Sequence, residues 1–311
     1  MLAFAVGAAI GPRWLRFLRD HQFGKRLNPS EPTEHAHKAG TPVMGGVVFL
    51  LPVTLVTLGV IATSGALPLL IPLGVGAAFA IIGTMDDLRT IVGNHRATGL
   101  SPRLKWFVQI VVGVAASFAL YASGYAIIRV PFLGIVELPA WGFIGFATLV
   151  IVATTSSVAI TDGMDSLLAT TAALAFVAFW VIGAGRDDTN VAMFSATFVG
   201  ALLAYLWFNA HPAQMWMGEL GAIPLGGMLS VTALLAGEPL LLIPAGIAFV
   251  ANAAADIAQV LSVKLRGRRV LKYAPLHHHF TRVGWPETWV VQRFWIASAV
   301  GTMVAIWASR W

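Results

Sequence analysis

Cysteine is absent from this 311-residue chain, which excludes a disulfide framework and a thiolate metal site alike. Charge is scarce as well: 11% of the residues are Asp, Glu, Lys or Arg, whereas 58% are hydrophobic, and the mean hydropathy is +0.79. No soluble domain hides that much apolar surface, so the chain reads as an all-α integral membrane protein, a single polytopic domain over residues 1–311. The opening stretch also lacks two marks of a secretory leader, a basic residue ahead of its apolar part and a small-residue cleavage site behind it.

A hydrocarbon core of about 30 Å takes roughly 20 apolar residues per helix. Nine runs approach that length, near 43–64, 67–84, 106–124, 141–160, 167–185, 191–208, 220–235, 240–261 and 290–308. Residues 1–18 make a tenth, short one, because its uncharged part ends at Pro12. About ten transmembrane helices place both termini on one side and alternate loops on the other. One set of loops carries Arg13, Arg16, Arg19, Lys25, Arg26 and Lys38, then Arg89, Arg96, Arg103 and Lys105, then Lys264, Arg266, Arg268, Arg269, Lys272 and Arg282. Only Arg129, Arg186, Arg310 and, just inside the last helix, Arg293 fall elsewhere. The positive-inside rule therefore puts the basic loops in the cytoplasm. The net charge of +6 and the pI near 10.1 are topological and call for no nucleic-acid partner.

The residues able to do chemistry share that side. Asp86, Asp87, Asp162, Asp165, Glu219 and the histidines 277–279 all fall at the cytoplasmic ends of helices or in the loops joining them. Wet helix ends attract charge without any function, and for one acid alone that account suffices. Their convergence is what points to an active site on the cytoplasmic face.

In HKAGTPVMGG (37–46), Lys38 precedes a turn and a glycine pair that lets backbone approach a ligand, a weak signal by itself. In GTMDDLRT (83–90), the adjacent carboxylates Asp86 and Asp87 repel unless a cation or proton lies near. ITDGMDS (160–166) sets Asp162 and Asp165 three apart, which brings them to one face if the chain is helical there, and two oxygens so placed suit Mg²⁺. NAHPAQMWMGELGAIPLGG (209–227) joins an Asn-x-x-Pro turn at Asn209 to Trp216, Glu219 and four glycines. Trp216 there suits either stacking on a nucleobase or anchoring in the membrane interface. APLHHHF (274–280) is a poor Mg²⁺ site, since that ion prefers oxygen and three consecutive side chains cannot converge. With Lys264 to Lys272 just before it, the run reads as an anion-binding rim.

In this order, with GWPE and RFW after the histidines, the motifs resemble those of the bacterial phospho-N-acetylmuramoyl-pentapeptide transferases, from about Gly11 to Phe294. The triple histidine separates that family from relatives that transfer N-acetylglucosamine phosphate. The resemblance implies ten helices in the bacterial inner membrane, with the site on the cytoplasmic face. It implies transfer of phospho-N-acetylmuramoyl-pentapeptide from its uridine diphosphate carrier to undecaprenyl phosphate, with Mg²⁺ as cofactor and UMP and lipid I as products. It leaves a homodimer open. By motif position it gives Asp86, Asp87, Asp162, His277 and His278 catalytic roles, with Asp86 acting on the lipid phosphate. Asp162 and Glu219 would hold the metal; Lys38, Asp165, Asn209, Trp216 and His279 would bind substrate, Trp216 by stacking on uracil.

Several positions depart from the family pattern. Val43 stands for a usual Thr, Ala159 for Asn, Ser166 for Gly, Glu219 for Asp, Ala222 for Ser and Asn252 for Glu. Glu219 matters most, because an added methylene displaces a metal ligand and Mg²⁺ demands near-ideal geometry. A further acid, Asp256, follows Asn252 by one turn on a polar stripe completed by Gln259, and either faces a partner inside the bundle or is solvated at the interface near Lys264 and Arg266. Two alternatives stand beside the main reading: a related phosphoglycosyltransferase using another uridine-diphosphate sugar, and a non-catalytic lipid-binding relative. Against a transporter, no broken helix or inverted repeat is evident in the spans.

Overall fold

The computed structural model describes residues 1–24, 40–92 and 99–311. Among them, ten long helices form the bundle: α1 (Leu2–Asp20), α2 (Val47–Ser64), α3 (Leu70–Val92), α4 (Pro102–Ala122), α5 (Ala140–Thr161), α6 (Leu167–Gly185), α7 (Thr189–Asn209), α8 (Glu219–Leu235), α10 (Ile247–Arg266) and α12 (Glu287–Ala308). The short α9 (Leu242–Ala245) precedes α10, and the seven-residue α11 (Leu276–Arg282) precedes α12. Eight helices, α2–α7, α10 and α12, are long and apolar enough to cross a membrane.

The bundle is apolar outside as well as inside, as a lipid-facing protein must be. Along α4, Trp106, Phe107, Ile110, Val111, Val114 and Phe118 are exposed on one face, while Gln109, Gly113, Ala116, Ser117 and Leu120 are buried on the other. That buried face carries polar glue, Ser156 Oγ donating to Gln109 Oε1 at 3.0 Å and Ser117 bonding Thr148 at 3.2 Å, the kind of bond that holds helices together where lipid gives no hydrophobic drive. The core is aromatic, with Phe176 of α6 stacked on Phe198 of α7 at 4.2 Å and Phe79, Phe143 and Tyr205 fully buried.

At 17 residues α8 is too short for a comfortable span, and every residue from Leu220 to Leu235 is buried. Its neighbours α3 and α5 pack closely on it because Gly226 and Gly227 remove the side chains that would hold them off. A Cβ at Gly227 would lie 2.5 Å from the Phe79 ring.

The first helix runs 19 residues through Pro12, but its second half carries Arg13, Arg16, Arg19 and Asp20, so its apolar part is short, as expected, and it is not among the eight spans. Two features differ from the sequence reading. A hairpin of β1 (Ile127–Val130) and β2 (Gly134–Glu137) joins α4 to α5, too short to show against its apolar surroundings. The run 240–261 is divided at Gly246, between α9 and α10. Pro239 and Pro244 lack the amides that would continue the helix. Gly301 of α12 fits against the break, where a Cβ would come 2.1 Å from the Pro244 carbonyl oxygen. The break leaves the 20-residue span of α10 whole.

At the start of α2, a Cβ on Gly46 would lie 2.5 Å from Gly221 Cα, backbone that no rotamer change can move aside. Gly46→Ala is expected to lower stability by about 1–3 kcal/mol through overpacking. Gly59→Ala in the same helix, with open space around it, should be neutral or slightly stabilising. Melting temperatures in detergent check the pair, and equal values for the two variants would contradict the α2–α8 contact.

Candidate active site

Near the C-terminal end of α3, Asp86 and Asp87 stand as neighbours, both buried, and folding gives them different work. Asp87 accepts from the backbone N–H groups of Glu219 at 3.1 Å and Leu220 at 3.0 Å, so it caps the start of α8 with both oxygens. Such close approach needs glycine: Gly218 has φ +73°, and a Cβ there would lie 2.5 Å from Asp87 Oδ2. Asp86 accepts from Leu100 N at 2.6 Å with one oxygen and pairs with Lys105 Nζ at 3.0 Å with the other. Lys105 also lies 3.0 Å from Glu219 Oε1. One ammonium thus bridges Asp86 and Glu219 and offsets the repulsion that the adjacent carboxylates imply.

Asp86, Asp87 and Glu219 line a cavity of about 230 Å³ together with Asp162, at the end of α5, and Trp216. The same walls contain Val43, Ala159 and Ala222, so four of the departing positions, counting Glu219, meet in one small space. Trp216 is held there by its backbone, its N–H donating to Pro42 O at 2.8 Å and its carbonyl accepting from Gly45 N at 2.7 Å. The glycine pair of the first motif therefore serves close backbone pairing with 216–221 rather than approach to a ligand, since a Cβ at Gly45 would come 2.8 Å from Trp216 O.

The other motif residues stand around this cavity. Asp165 is buried, its Oδ2 accepting from Ala213 N at 3.1 Å and bonded to His211 Nδ1 at 2.9 Å, while its own N–H donates to Glu287 Oε1 at 3.0 Å. The atoms of Asp165, His211 and Glu287 lie within 4.8 Å of one another. Asn209 accepts from Ser166 N at 2.9 Å and donates to Met215 O at 3.0 Å, so its amide joins two loops instead of reaching into the cavity. Ser166 takes φ +60°, a left-handed conformation that glycine adopts without strain. Lys38 lies outside the described residues.

The histidines share α11. His277 is fully buried; its backbone N–H and its Nδ1 reach Asn252 Oδ1 at 3.2 and 3.1 Å, and Asn252 Nδ2 donates to Thr161 Oγ1 at 3.2 Å. Because a carbonyl oxygen only accepts, Nδ1 carries the proton. A Cβ at Gly163 would lie 2.3 Å from His277 Nε2 and 3.1 Å from His278 Nε2, so two imidazoles press on the residue next to Asp162. His279 turns away, its Nδ1 accepting from Lys272 N at 3.1 Å. The polar stripe of α10 organises this corner: Gln259 Oε1 accepts from Val270 N and Leu271 N at 3.1 and 3.0 Å. Asp256, half-buried, makes no ion pair or hydrogen bond among the described residues, which favours the solvated position over a partner inside the bundle. Lys105, His211 and Glu287 were not singled out as site residues from the sequence; only their positions beside the motifs hinted at them.

The cavity's carboxylates, Asp86, Asp87, Asp162 and Glu219, thus come together at the end of the bundle that carries the basic loops, and carboxylate oxygens suit a hard cation. The model of the glycosyl transferase family 4 matches residues 69–237, which hold Asp86, Asp162 and Glu219 and stop short of the histidines. A phospho-N-acetylmuramoyl-pentapeptide-transferase of Chloroflexus aurantiacus is 40% identical over 319 residues, covering 98% of this chain and 86% of that one. Proteins of the same description from Shouchella clausii and Geobacillus kaustophilus are each 35% identical, covering 100% of this chain and 96% of theirs.

Asn252→Leu should strand the His277 N–H groups in a buried corner, at about 1–3 kcal/mol, while the Thr161 hydroxyl keeps its bond to Ser157 O. Asn252→Asp keeps an acceptor for His277 and should retain more of that stability. Thermal unfolding in detergent compares them, and a leucine variant as stable as the parent would remove Asn252 from its role as the anchor of α11.

Proposed function

The chain belongs to the phospho-N-acetylmuramoyl-pentapeptide-transferase family, within glycosyl transferase family 4, and from that premise we propose how this multi-pass membrane protein works. It transfers phospho-N-acetylmuramoyl-pentapeptide from its uridine diphosphate carrier to undecaprenyl phosphate, releasing UMP and forming lipid I for peptidoglycan synthesis. The membrane is the bacterial inner membrane, and the acidic cavity faces the cytoplasm, as the basic loops around it favour. The observation that supports this most is the single cavity lined by Asp86, Asp162, Glu219 and Trp216, with His277 and His278 against Gly163 at its edge. It is built within one chain, so the reading requires no second copy.

The chemistry joins two anionic substrates: an oxygen of the lipid phosphate attacks the β-phosphorus of the diphosphate, and the bond to UMP breaks. Repulsion is the barrier, and positioned positive charge removes it. Asp86, already oriented by Leu100 N and Lys105, orients the lipid phosphate and takes its proton where it carries one. Lys105 and the imidazoles of His277 and His278 neutralise phosphate oxygens. Trp216 stacks on uracil, and Lys38 and Asp165 complete the substrate contacts, while His279 holds the basic loop through Lys272 N. Asp87 and Asn209 act on the loops: Asp87 fixes where Glu219 begins α8, and Asn209 ties 166 to 215. Asp162 and Glu219 would hold Mg²⁺ by their oxygen donors in the shared cavity, and Glu219 also pairs with Lys105. Bound there, Mg²⁺ supplies neutralisation of the diphosphate charge.

A second reading draws on Val43, Ala159, Glu219 and Ala222 lining the same cavity: an altered preference for another uridine-diphosphate sugar. UMP release by the purified protein, with and without undecaprenyl phosphate, tests both. Release from the muramoyl pentapeptide nucleotide supports the main reading; release only from a simple sugar nucleotide supports the second; none from either points to the non-catalytic alternative.

Asp162→Asn is expected to abolish UMP release while leaving the melting temperature near that of the parent, since a lost charged ligand of a hard cation is not easily replaced. Full turnover in that variant ends the assignment of Asp162 to the metal.

Stacking holds ground state and transition state alike, so Trp216→Ala should raise KM for the uridine substrate by roughly five- to a hundredfold, the equivalent of about 1–3 kcal/mol, with a smaller change in kcat. Steady-state kinetics decides, and an unchanged KM returns Trp216 to the role of a membrane anchor.

A further inference from the structure

The opposite end of the bundle holds a larger cavity, of about 670 Å³, formed by the β1–β2 hairpin, the C-terminal ends of α6 and α12 and the turn after α8. Its lining brings together Arg129, Arg186 and Arg310 against a single side-chain carboxylate, Glu238. These are three of the four basic residues that lie away from the basic loops, and nothing in the transfer chemistry uses them.

Part of the arrangement is structural. Arg129 Nη1 donates to Ala236 O at 3.2 Å, and Arg186 Nη2 donates to Ser309 O at 2.5 Å, so each caps carbonyls at a helix end. Arg186 also pairs with Glu238, which is 1% exposed; burial pushes that carboxyl up from its ordinary value, and the two arginines pull it back. These contacts leave charge over. A guanidinium carries five donors, of which Arg129 uses one here and Arg186 two, and the Arg310 side chain makes no hydrogen bond or ion pair among the described residues. Forked donors of this kind match phosphate oxygens.

The cavity opens beside apolar surface. Val181 of α6, which lines it, is exposed, as are Trp180 on the same helix and Val304 and Trp307 on α12. Phe132 of the hairpin lies 5.6 Å from the Trp307 ring, an aromatic pair where a chain leaves the membrane. We infer that this cavity binds the phosphate of an anionic phospholipid from the leaflet at that end, with its acyl chains along the exposed faces of α6 and α12. A free inorganic anion would gain the arginines and nothing from that apolar lip, which is why the lipid is the favoured source of the phosphate.

The test uses the full chain in detergent, titrated with phosphatidylglycerol and followed by native mass spectrometry and by melting temperature. One phosphatidylglycerol should be retained in preference to phosphatidylcholine. Arg129→Gln combined with Arg310→Gln should weaken that retention roughly tenfold or more, the scale of lost charge-assisted bonds. Arg129→Gln keeps a donor for Ala236; should the double variant fold poorly, Arg310→Gln alone, which breaks no hydrogen bond or ion pair among the described residues, is expected to weaken retention in the same direction. Equal retention by parent and variants overturns the site. Equal retention of phosphatidylcholine makes the cavity a mere apolar slot. Stabilisation by inorganic phosphate alone, to the extent given by the lipid, overturns the lipid as its source.

Discussion

Two backbone amides at the start of α8, those of Glu219 and Leu220, are held by the two oxygens of Asp87 on α3, and the acidic end is arranged around that contact. A helix start has amides without partners and a positive dipole end, so a buried carboxylate satisfies both needs at once. The contact sets the register between α3 and α8. Register in turn places Asp86 and Glu219 on either side of Lys105 and brings Trp216, just before the helix, to the cavity wall. Glycines at 83, 218 and 221 allow it, each standing where a Cβ would collide with a neighbouring atom.

A second anchor works by the same economy of buried polar groups. Asn252 connects α5, through Thr161, to α11, through His277, and Gln259 grips the basic loop two turns further along α10. The result joins three segments distant in sequence into one wall beside Asp162. His211 and Glu287 close the far side of that wall through Asp165, so the loops after α5, α7 and α11 converge on a shared set of carboxylate bonds.

Hydropathy made the helices legible, because lipid demands long apolar runs. The motifs made most of the cavity legible: Asp86, Asp162, Trp216 and Glu219 do line one space. Sequence could not separate Asp86 from Asp87, since identical neighbours diverge only when one meets the start of another helix. Nor could it find Lys105, which looks like one more basic loop residue until folding carries it across from α4 to Glu219. The break at Gly246 and the β-hairpin were hidden for another reason. An apolar run reports burial in lipid and is indifferent to a lost hydrogen bond at its end, and four-residue strands leave no period to read.

The sheathing of α8 has a consequence for how the protein sits among lipids. Helices that touch acyl chains must adjust their tilt when a bilayer thickens or thins. α8 is surrounded by α2, α3, α4, α5, α6 and α7 and touches none, so its 17 residues have no hydrophobic mismatch of their own to relieve. The depth of Glu219 is therefore fixed by protein contacts, as on an inner piston held by its cylinder, and the carboxylate cluster keeps its internal spacing across membranes of different thickness.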